Sequence, residues 1–265
     1  MSSIIRELSK RIDENKKTAL VILTKNTGSS PGVEGEIMLV YPDGKSLGTI
    51  GGGSLEYNVI KKVMENMESC ENFNFKYDLA EGGDIGMLCG GDVEGYVKFF
   101  KPSSKLIIFG AGHVAKALNK AAKELDFNIS IVDDRQEYLS DKSFENANKI
   151  CCPFDRLSDD IDYDNSYIVI MTPSHSYDYE VLRAVVEKNY KYLGLMGSGK
   201  KVNSVKRKLN EDGVSQENID KVRMPIGINI ATGTPQEIAI SICAELLACR
   251  NNIDEVEFLS DKHRC

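Results

Sequence analysis

The stretch Leu106-Ile107-Ile108-Phe109-Gly110-Ala111-Gly112-His113-Val114-Ala115 decides the architecture of this chain. Four consecutive large apolar residues bounded by glycine read as a buried strand. The Gly-x-Gly-x-x-Ala run that follows places Gly110 where a tight turn is needed, Gly112 where a phosphate must reach the backbone, and Ala115 where helix and strand lie close. The helix opened here offers free amides and a positive dipole end to an anion. A second apolar strand, residues 128–132, leads to Asp133, about twenty residues downstream, where a carboxylate hydrogen-bonds a ribose 2′-hydroxyl and disfavours a 2′-phosphate. Strand, loop, helix and acid together predict a Rossmann-type domain that holds NAD or another adenine nucleotide. The competing reading is a Rossmann fold that has lost its ligand, since fold alone does not set function.

Apolar strands continue to alternate with helices beyond this point: residues 167–171, a helix after Ser176, then residues 191–196. That alternation predicts a parallel, doubly wound sheet. The last helix has a clear start at Thr234-Pro235-Gln236-Glu237, with Thr234 as cap, Pro235 at the first position and Glu237 completing a capping box; Ile238, Ile242 and Leu246 form its core face. Upstream the pattern differs. Ile4, Leu8 and Ile12 mark an opening helix, residues 18–24 a strand, and residues 36–40 and 45–50 two strands joined across Pro42-Asp43-Gly44. Leu55, Val59, Val63 and Met67 mark a helical face with Ser54 as its cap, residues 92–100 alternate as a strand, and Pro102-Ser103-Ser104 reads as a linker. The expected fold class is α/β: a small α+β N-terminal domain over residues 1–101, then a Rossmann-type doubly wound parallel-sheet domain over residues 102–265.

The net charge of −7 supplies no basic field for a nucleic-acid backbone, so nucleic acid is not an expected partner. No apolar run approaches the roughly 20 residues that span a bilayer, and the first residues lack a signal-peptide pattern, so a cytoplasmic protein is expected, without a membrane partner. Seven cysteines without a C-x-x-C pair favour reduced thiols, and three histidines are too few for a multi-histidine metal site.

Three glycine-bearing segments punctuate the first domain: residues 27–32 with Gly28-Ser29-Ser30, residues 48–56 with Gly51-Gly52-Gly53-Ser54-Leu55-Glu56, and residues 86–91 with Cys89-Gly90-Gly91. Such segments are either ordinary turns or backbone brought close to a ligand, and exposed amides and hydroxyls suit phosphate or pterin oxygens. Cys89, flanked by glycines, reads as a soft metal ligand or sulfur carrier, against the alternative of a small buried hydrophobe. In the second domain His113 stands inside the glycine loop and His175 just beyond a strand, where doubly wound folds bind ligands; each is a phosphate contact or proton donor, or else a solvent-facing loop residue. Asp178 is placed one turn on to orient His175. Gly197-Ser198-Gly199-Lys200 follows a strand and opens a helix, which repeats the anion-site logic without the full P-loop spacing, and Lys200, Lys201, Lys206, Arg207 and Lys208 read as a solvated helix face rather than a docking patch.

Taken together, the runs Thr27-Gly28-Ser29-Ser30-Pro31-Gly32, residues 48–56, Cys89-Gly90-Gly91, residues 110–115 and Thr234-Pro235-Gln236-Glu237-Ile238-Ala239 resemble, in order, the XdhC/CoxI family of xanthine dehydrogenase accessory factors. The resemblance implies a non-catalytic chaperone that binds molybdenum cofactor, assists its sulfuration and inserts it into an apo molybdenum hydroxylase. It further implies a homodimer and a cysteine desulfurase as partner. Site residues implied are Gly28, Ser29, Ser30, Gly51, Gly52, Gly53, Ser54, Glu56, Cys89, Gly90 and Gly91, with Gly110, Gly112, His113, Asp133 and His175 in the second domain. Two stretches depart from the family pattern: Thr172-Pro173-Ser174-His175 replaces its usual Thr-Arg-Gly-His, and Gly199 stands where it has a basic residue. The alternatives are an NAD-dependent oxidoreductase using His113 or His175 as acid and base, and a regulatory module gated by a dinucleotide.

Overall fold

A computed structural model describes residues 2–28, 32–79, 91–231 and 233–255. The chain divides into two compact units, with the boundary between Pro102 and Ser103.

In the first unit, helix α1 (Ser2–Asp13) precedes strands β1 (Thr18–Asn26), β2 (Ile37–Val40) and β3 (Ser46–Gly48), helix α2 (Gly53–Glu65), and strands β4 (Phe73–Asp78) and β5 (Asp92–Phe100). The sheet order is β3-β2-β1-β5-β4, antiparallel throughout. Alternation along β1 explains the layering. Ala19, Val21 and Leu23 face α2, which buries Leu55, Val59 and Val63 among them, whereas Leu20 on the opposite side packs with Ile4 and Leu8 of α1. Ile12, expected on the core face of α1, is instead 47 % exposed. A spacing of four drifts by about 40° per step around a 3.6-residue helix, so the third member of the series has turned away from the sheet.

The second unit contains β6 (Ser104–Phe109), α3 (His113–Lys123), β7 (Phe127–Asp133), α4 (Gln136–Leu139), β8 (Asn148–Cys151), β9 (Ser166–Ile170), α5 (His175–Val185), β10 (Tyr190–Leu195), α6 (Gly199–Glu211), α7 (Gln216–Lys221) and α8 (Pro235–Arg250). Its five strands are all parallel, in the order β10-β9-β6-β7-β8. This is a doubly wound Rossmann-type sheet, and the strand order reverses between β6 and β9. Leu106 and Ile108 of β6 pack toward α3 and α8, while Ile107 and Phe109 pack toward α5 and α6, so the strand is buried on both faces. The predicted cap of α8 is present: the Glu237 amide donates to the Thr234 hydroxyl at 3.3 Å, and the Glu237 carboxylate accepts from the Thr234 amide.

Candidate functional site

In the first unit the loops are drawn together by approaches that only glycine permits. Gly91 has φ +136°, and a Cβ there would lie 2.0 Å from the Thr27 carbonyl oxygen. The contact is laced by hydrogen bonds: the Thr27 amide donates to the Asp92 carbonyl at 2.9 Å, and the Asp92 amide donates to the Thr27 hydroxyl at 3.1 Å. Gly32 in turn sits against Ile50, whose carbonyl oxygen would be 2.5 Å from an added Cβ, and the Asn26 side-chain amide donates to the Gly32 carbonyl at 2.6 Å. The loop following β1 therefore meets both the residues entering β5 and the loop before α2. Gly28 and Gly91 both lie at this junction. Ser29, Ser30, Cys89 and Gly90 lie outside the described residues.

The loop before α2 is held from within. Glu56 accepts hydrogen bonds from the Thr49 hydroxyl and from the amides of Ile50 at 3.0 Å and Gly52 at 2.9 Å. Burial opposes its charge, yet those three donors hold its carboxyl below the usual range. Glu56 thus positions the Gly51-Gly52-Gly53 turn, in which all three glycines have positive φ. Ser54, expected as the helix cap, is the second residue of α2. The cap is Gly52, with φ 76° and ψ −173° and no capping side chain, a backbone conformation essentially confined to glycine. Space where a Cβ of Gly52 would sit is open to 4 Å.

In the second unit the two fingerprint glycines do different things. Gly110 has φ +105°, and a Cβ there would be 2.3 Å from the Met171 carbonyl oxygen and 3.1 Å from the Thr172 Cα. It lets the end of β6 pass against the end of β9, at the point where the strand order reverses and open α/β sheets bind ligands. Gly112 caps α3 in an extended conformation without a capping side chain, and nothing lies within 4 Å of where its Cβ would be. That opening is what a phosphate approaching the α3 amides requires. His113 occupies the first position of α3 and is exposed.

Asp133 was expected to face a ribose hydroxyl. It is fully buried, and its oxygens accept from the Ala111 amide at 2.7 Å, the Arg135 amide at 3.0 Å and the Arg135 guanidinium twice at 2.8 Å. Burial works against its charge, but Arg135 and the Ala111 amide hold its carboxyl below the usual range. All four acceptor positions of the carboxylate are thereby used. Asp133 ties the end of β7 to the glycine loop, and a ribose hydroxyl reaches it by displacing Arg135, whose guanidinium also stacks 3.8 Å from the Tyr138 ring. Arg135 is a residue that the spacing argument did not single out.

His175 is the exposed first residue of α5, which is capped by the Ser174 hydroxyl. Asp178 does not orient it. The buried Asp178 carboxylate accepts from the Thr172 amide at 2.9 Å and hydroxyl at 2.8 Å, and pairs with Lys201, which also donates to the Met196 carbonyl at 2.6 Å. The Lys201 side chain is only 8 % exposed, so it is no part of a solvated face. The signal for this was its spacing: Lys201 precedes Val205 and Leu209 at four-residue intervals, in register with the buried stripe of α6. Among the described residues no group of three or more His, Cys, Asp or Glu is placed to hold a metal ion, and no helix is long and apolar enough to cross a membrane.

Comparison with known proteins agrees with this arrangement. Residues 106–246 match the XdhC Rossmann domain, and residues 11–78 match the XdhC and CoxI family. The chain is 33 % identical over 258 residues to Escherichia coli (strain K12) YqeB, covering 94 % of this chain and 47 % of that protein. It is 22 % identical to the molybdenum cofactor insertion chaperone PaoD of the same organism, covering 96 % of this chain and 90 % of PaoD. A probable xanthine dehydrogenase subunit from Bacillus subtilis (strain 168) is 26 % identical, covering 60 % of this chain and 46 % of that one. The chain thus spans about half the length of YqeB and of the Bacillus subtilis protein. A crystal structure of a xanthine dehydrogenase from Bacillus halodurans shares the fold, with a TM-score of 0.53 and 20 % identity over 97 % of this chain and 98 % of that one. With both modules in sequence order, and the Rossmann match alone covering more than half its length, the chain belongs to the XdhC/CoxI family.

Proposed function

We propose that this protein is an accessory factor for a molybdenum hydroxylase of the xanthine dehydrogenase type: it binds molybdenum cofactor as cargo, assists its sulfuration and passes it to the apo-enzyme. One observation carries the reading. Close approaches at Gly91 and Gly32 bring the glycine loops of the first unit together, and beside them the Gly52 turn leaves the start of α2 without a capping side chain and with open space in front of it. A backbone surface rich in amides suits the oxygens of a phosphorylated pterin. Similarity to PaoD along nearly the whole chain supports the same role.

In this reading Gly28, Ser29, Ser30, Gly51, Gly52, Gly53, Ser54, Gly90 and Gly91 form the cargo cradle, Glu56 holds its shape, and Cys89 supplies the soft sulfur ligand. A cysteine desulfurase is the sulfur source. Handover requires that docking of the apo-enzyme weaken the grip on the cargo, a coupling that works equally in both directions. The protein acts as a homodimer in the reducing cytoplasm. The open backbone at Gly112 favours a second element: NAD or another adenine nucleotide binds at the switch point and gates docking. An oxidoreductase reading gains nothing from His113 or His175, both of which are exposed at helix starts.

Expression with molybdate, followed by metal analysis and pterin fluorescence of the purified protein, tests the proposal. Molybdenum and pterin in equal amounts are expected. Protein that carries neither, and leaves maturation of a molybdenum hydroxylase unchanged when its gene is deleted, overturns it.

A further inference from the structure

Beyond the glycine loops, the second unit has a cleft of about 380 Å³ between α5 and α6, lined among others by His175, Ser176, Ser198, Lys200, Ser204 and Lys208. We propose that this cleft is an oxyanion site for a phosphate-bearing ligand, independent of whether the protein carries molybdenum cofactor.

Charge is the first argument. The chain as a whole is acidic, with a net charge of −7, yet the lining contains lysines, a histidine and serine hydroxyls and no carboxylate. The charges are also available. Lys201 is consumed by Asp178, but among the described residues neither Lys200 nor Lys208 has a carboxylate within ion-pair distance. The Lys208 ammonium rests 5.2 Å from the Tyr179 ring centroid. The nearby Asp212 is engaged by the Tyr179 hydroxyl and lies 4.0 Å from Arg183. Neither ammonium is neutralised by a carboxylate, so both charges are available to an oxyanion bound in the cleft.

Backbone geometry is the second argument. Ser198 caps α6 without a side-chain hydrogen bond, and Gly199 follows with nothing within 4 Å of where its Cβ would be. The residues on either side of that glycine, Ser198 and Lys200, line the cleft from α6, and His175 and Ser176 line it from the start of α5. The buried Asp178 carboxylate binds Thr172 at the end of β9 and Lys201 in the first turn of α6, which fixes the two walls relative to each other. Size is the third argument. The volume is at the low end of ligand clefts, about 300–1,000 Å³, and admits a phosphate or diphosphate group rather than an entire dinucleotide. Asp178, which pairs with the lining residue Lys201, also accepts from Thr172, and Thr172 lies against Gly110 at the switch point. The phosphate bound in the cleft belongs either to a free compound or to a ligand also held at Gly112.

Inorganic pyrophosphate is the probe, titrated calorimetrically in chloride buffer into the full chain. Wild type should bind. Lys200→Ala and Lys208→Ala should each weaken binding about tenfold, the factor carried by one charge-assisted hydrogen bond. The Lys206→Ala/Arg207→Ala variant of the same helix, outside the lining, should bind like wild type. ADP, titrated in parallel, separates the sources: ADP binding weakened by Gly112→Val and by the lysine variants alike indicates one ligand spanning loop and cleft, whereas lysine variants that weaken pyrophosphate and leave ADP unchanged indicate a free compound. The proposal is overturned if wild type does not bind, if the lysine variants bind as wild type, or if Lys206→Ala/Arg207→Ala loses as much. Lys200 is exposed, so its variant remains a valid test should that of Lys208 fold poorly.

Discussion

Replacing Asp178 by alanine should destabilise the second unit by about 3–5 kcal/mol, the range found when one partner of a buried ion pair is removed. The figure follows from what is left behind. Lys201, only 8 % exposed in its side chain, would keep the Met196 carbonyl as acceptor and lose its carboxylate, and the buried Thr172 amide would lose its partner. At about 2–4 °C per kcal/mol for a domain of roughly 150–250 residues, the melting temperature should fall by about 6–20 °C. Lys201→Met should cost less, because the Asp178 carboxylate would still accept both Thr172 hydrogen bonds. The double variant Asp178→Ala/Lys201→Met should cost less than the sum of the two single changes, since no charge remains buried. Urea unfolding followed by circular dichroism, with hydrogen exchange to isolate residues 103–255, measures all three; the chain has no tryptophan to report. A loss below about 1 kcal/mol for Asp178→Ala, or additive effects of the two single changes, would refute the reasoning.

Gly112→Val should leave the melting temperature unchanged and abolish NAD or adenine-nucleotide binding in a calorimetric titration, whereas Gly110→Ala should destabilise the unit, because its methyl would press on the Met171 carbonyl at 2.3 Å. Cys89→Ser should remove delivery of active cofactor, read as activity of a co-expressed molybdenum hydroxylase. Cys243→Ser should keep delivery and lose about 1–3 kcal/mol of stability, because Cys243 is buried in the core and its thiol is pushed up to about 11 by that burial. Asp133 has a lowered carboxyl pKa in the fold, so its charge stabilises the protein above the unfolded value of about 3.9 and that contribution disappears as pH falls through the folded value. The stability difference between wild type and Asp133→Asn should therefore be full at neutral pH and shrink below about pH 4; a difference that stays constant down to pH 2 would exclude the role given to this carboxylate.

Elements with a face against the core were legible from residue pattern: β1, α2, β5, β6, β7, β9, β10 and α8 all appear within a few residues of where periodicity puts them. Strand β8 was not, for a physical reason: its four residues Asn148–Cys151 are mostly exposed, so burial imposes no alternation for a pattern to reveal. Strand β4 was passed over although Phe73, Phe75 and Tyr77 alternate with polar residues and pack on the core.

Sequence alone determined where residue types answer a local backbone need: the glycines of the fingerprint 110–115 and of the turn 51–53, and the capping box of α8. Only the tertiary structure decided the partners. Gly110 is required by the neighbouring strand end at Met171 rather than by its own turn alone, Gly91 by Thr27, and Gly32 by Ile50. Asp133 is held by Arg135 at the place where a ribose hydroxyl was expected, Asp178 faces Lys201 instead of His175, and one lysine of an apparently uniform basic run is buried while Lys200 and Lys208 line a cleft. The difference lies in the range of the forces involved. Backbone dihedrals and helix capping act over a few residues and leave their mark in adjacent letters, whereas a buried carboxylate takes whichever donor the packing of distant strands brings within 3 Å.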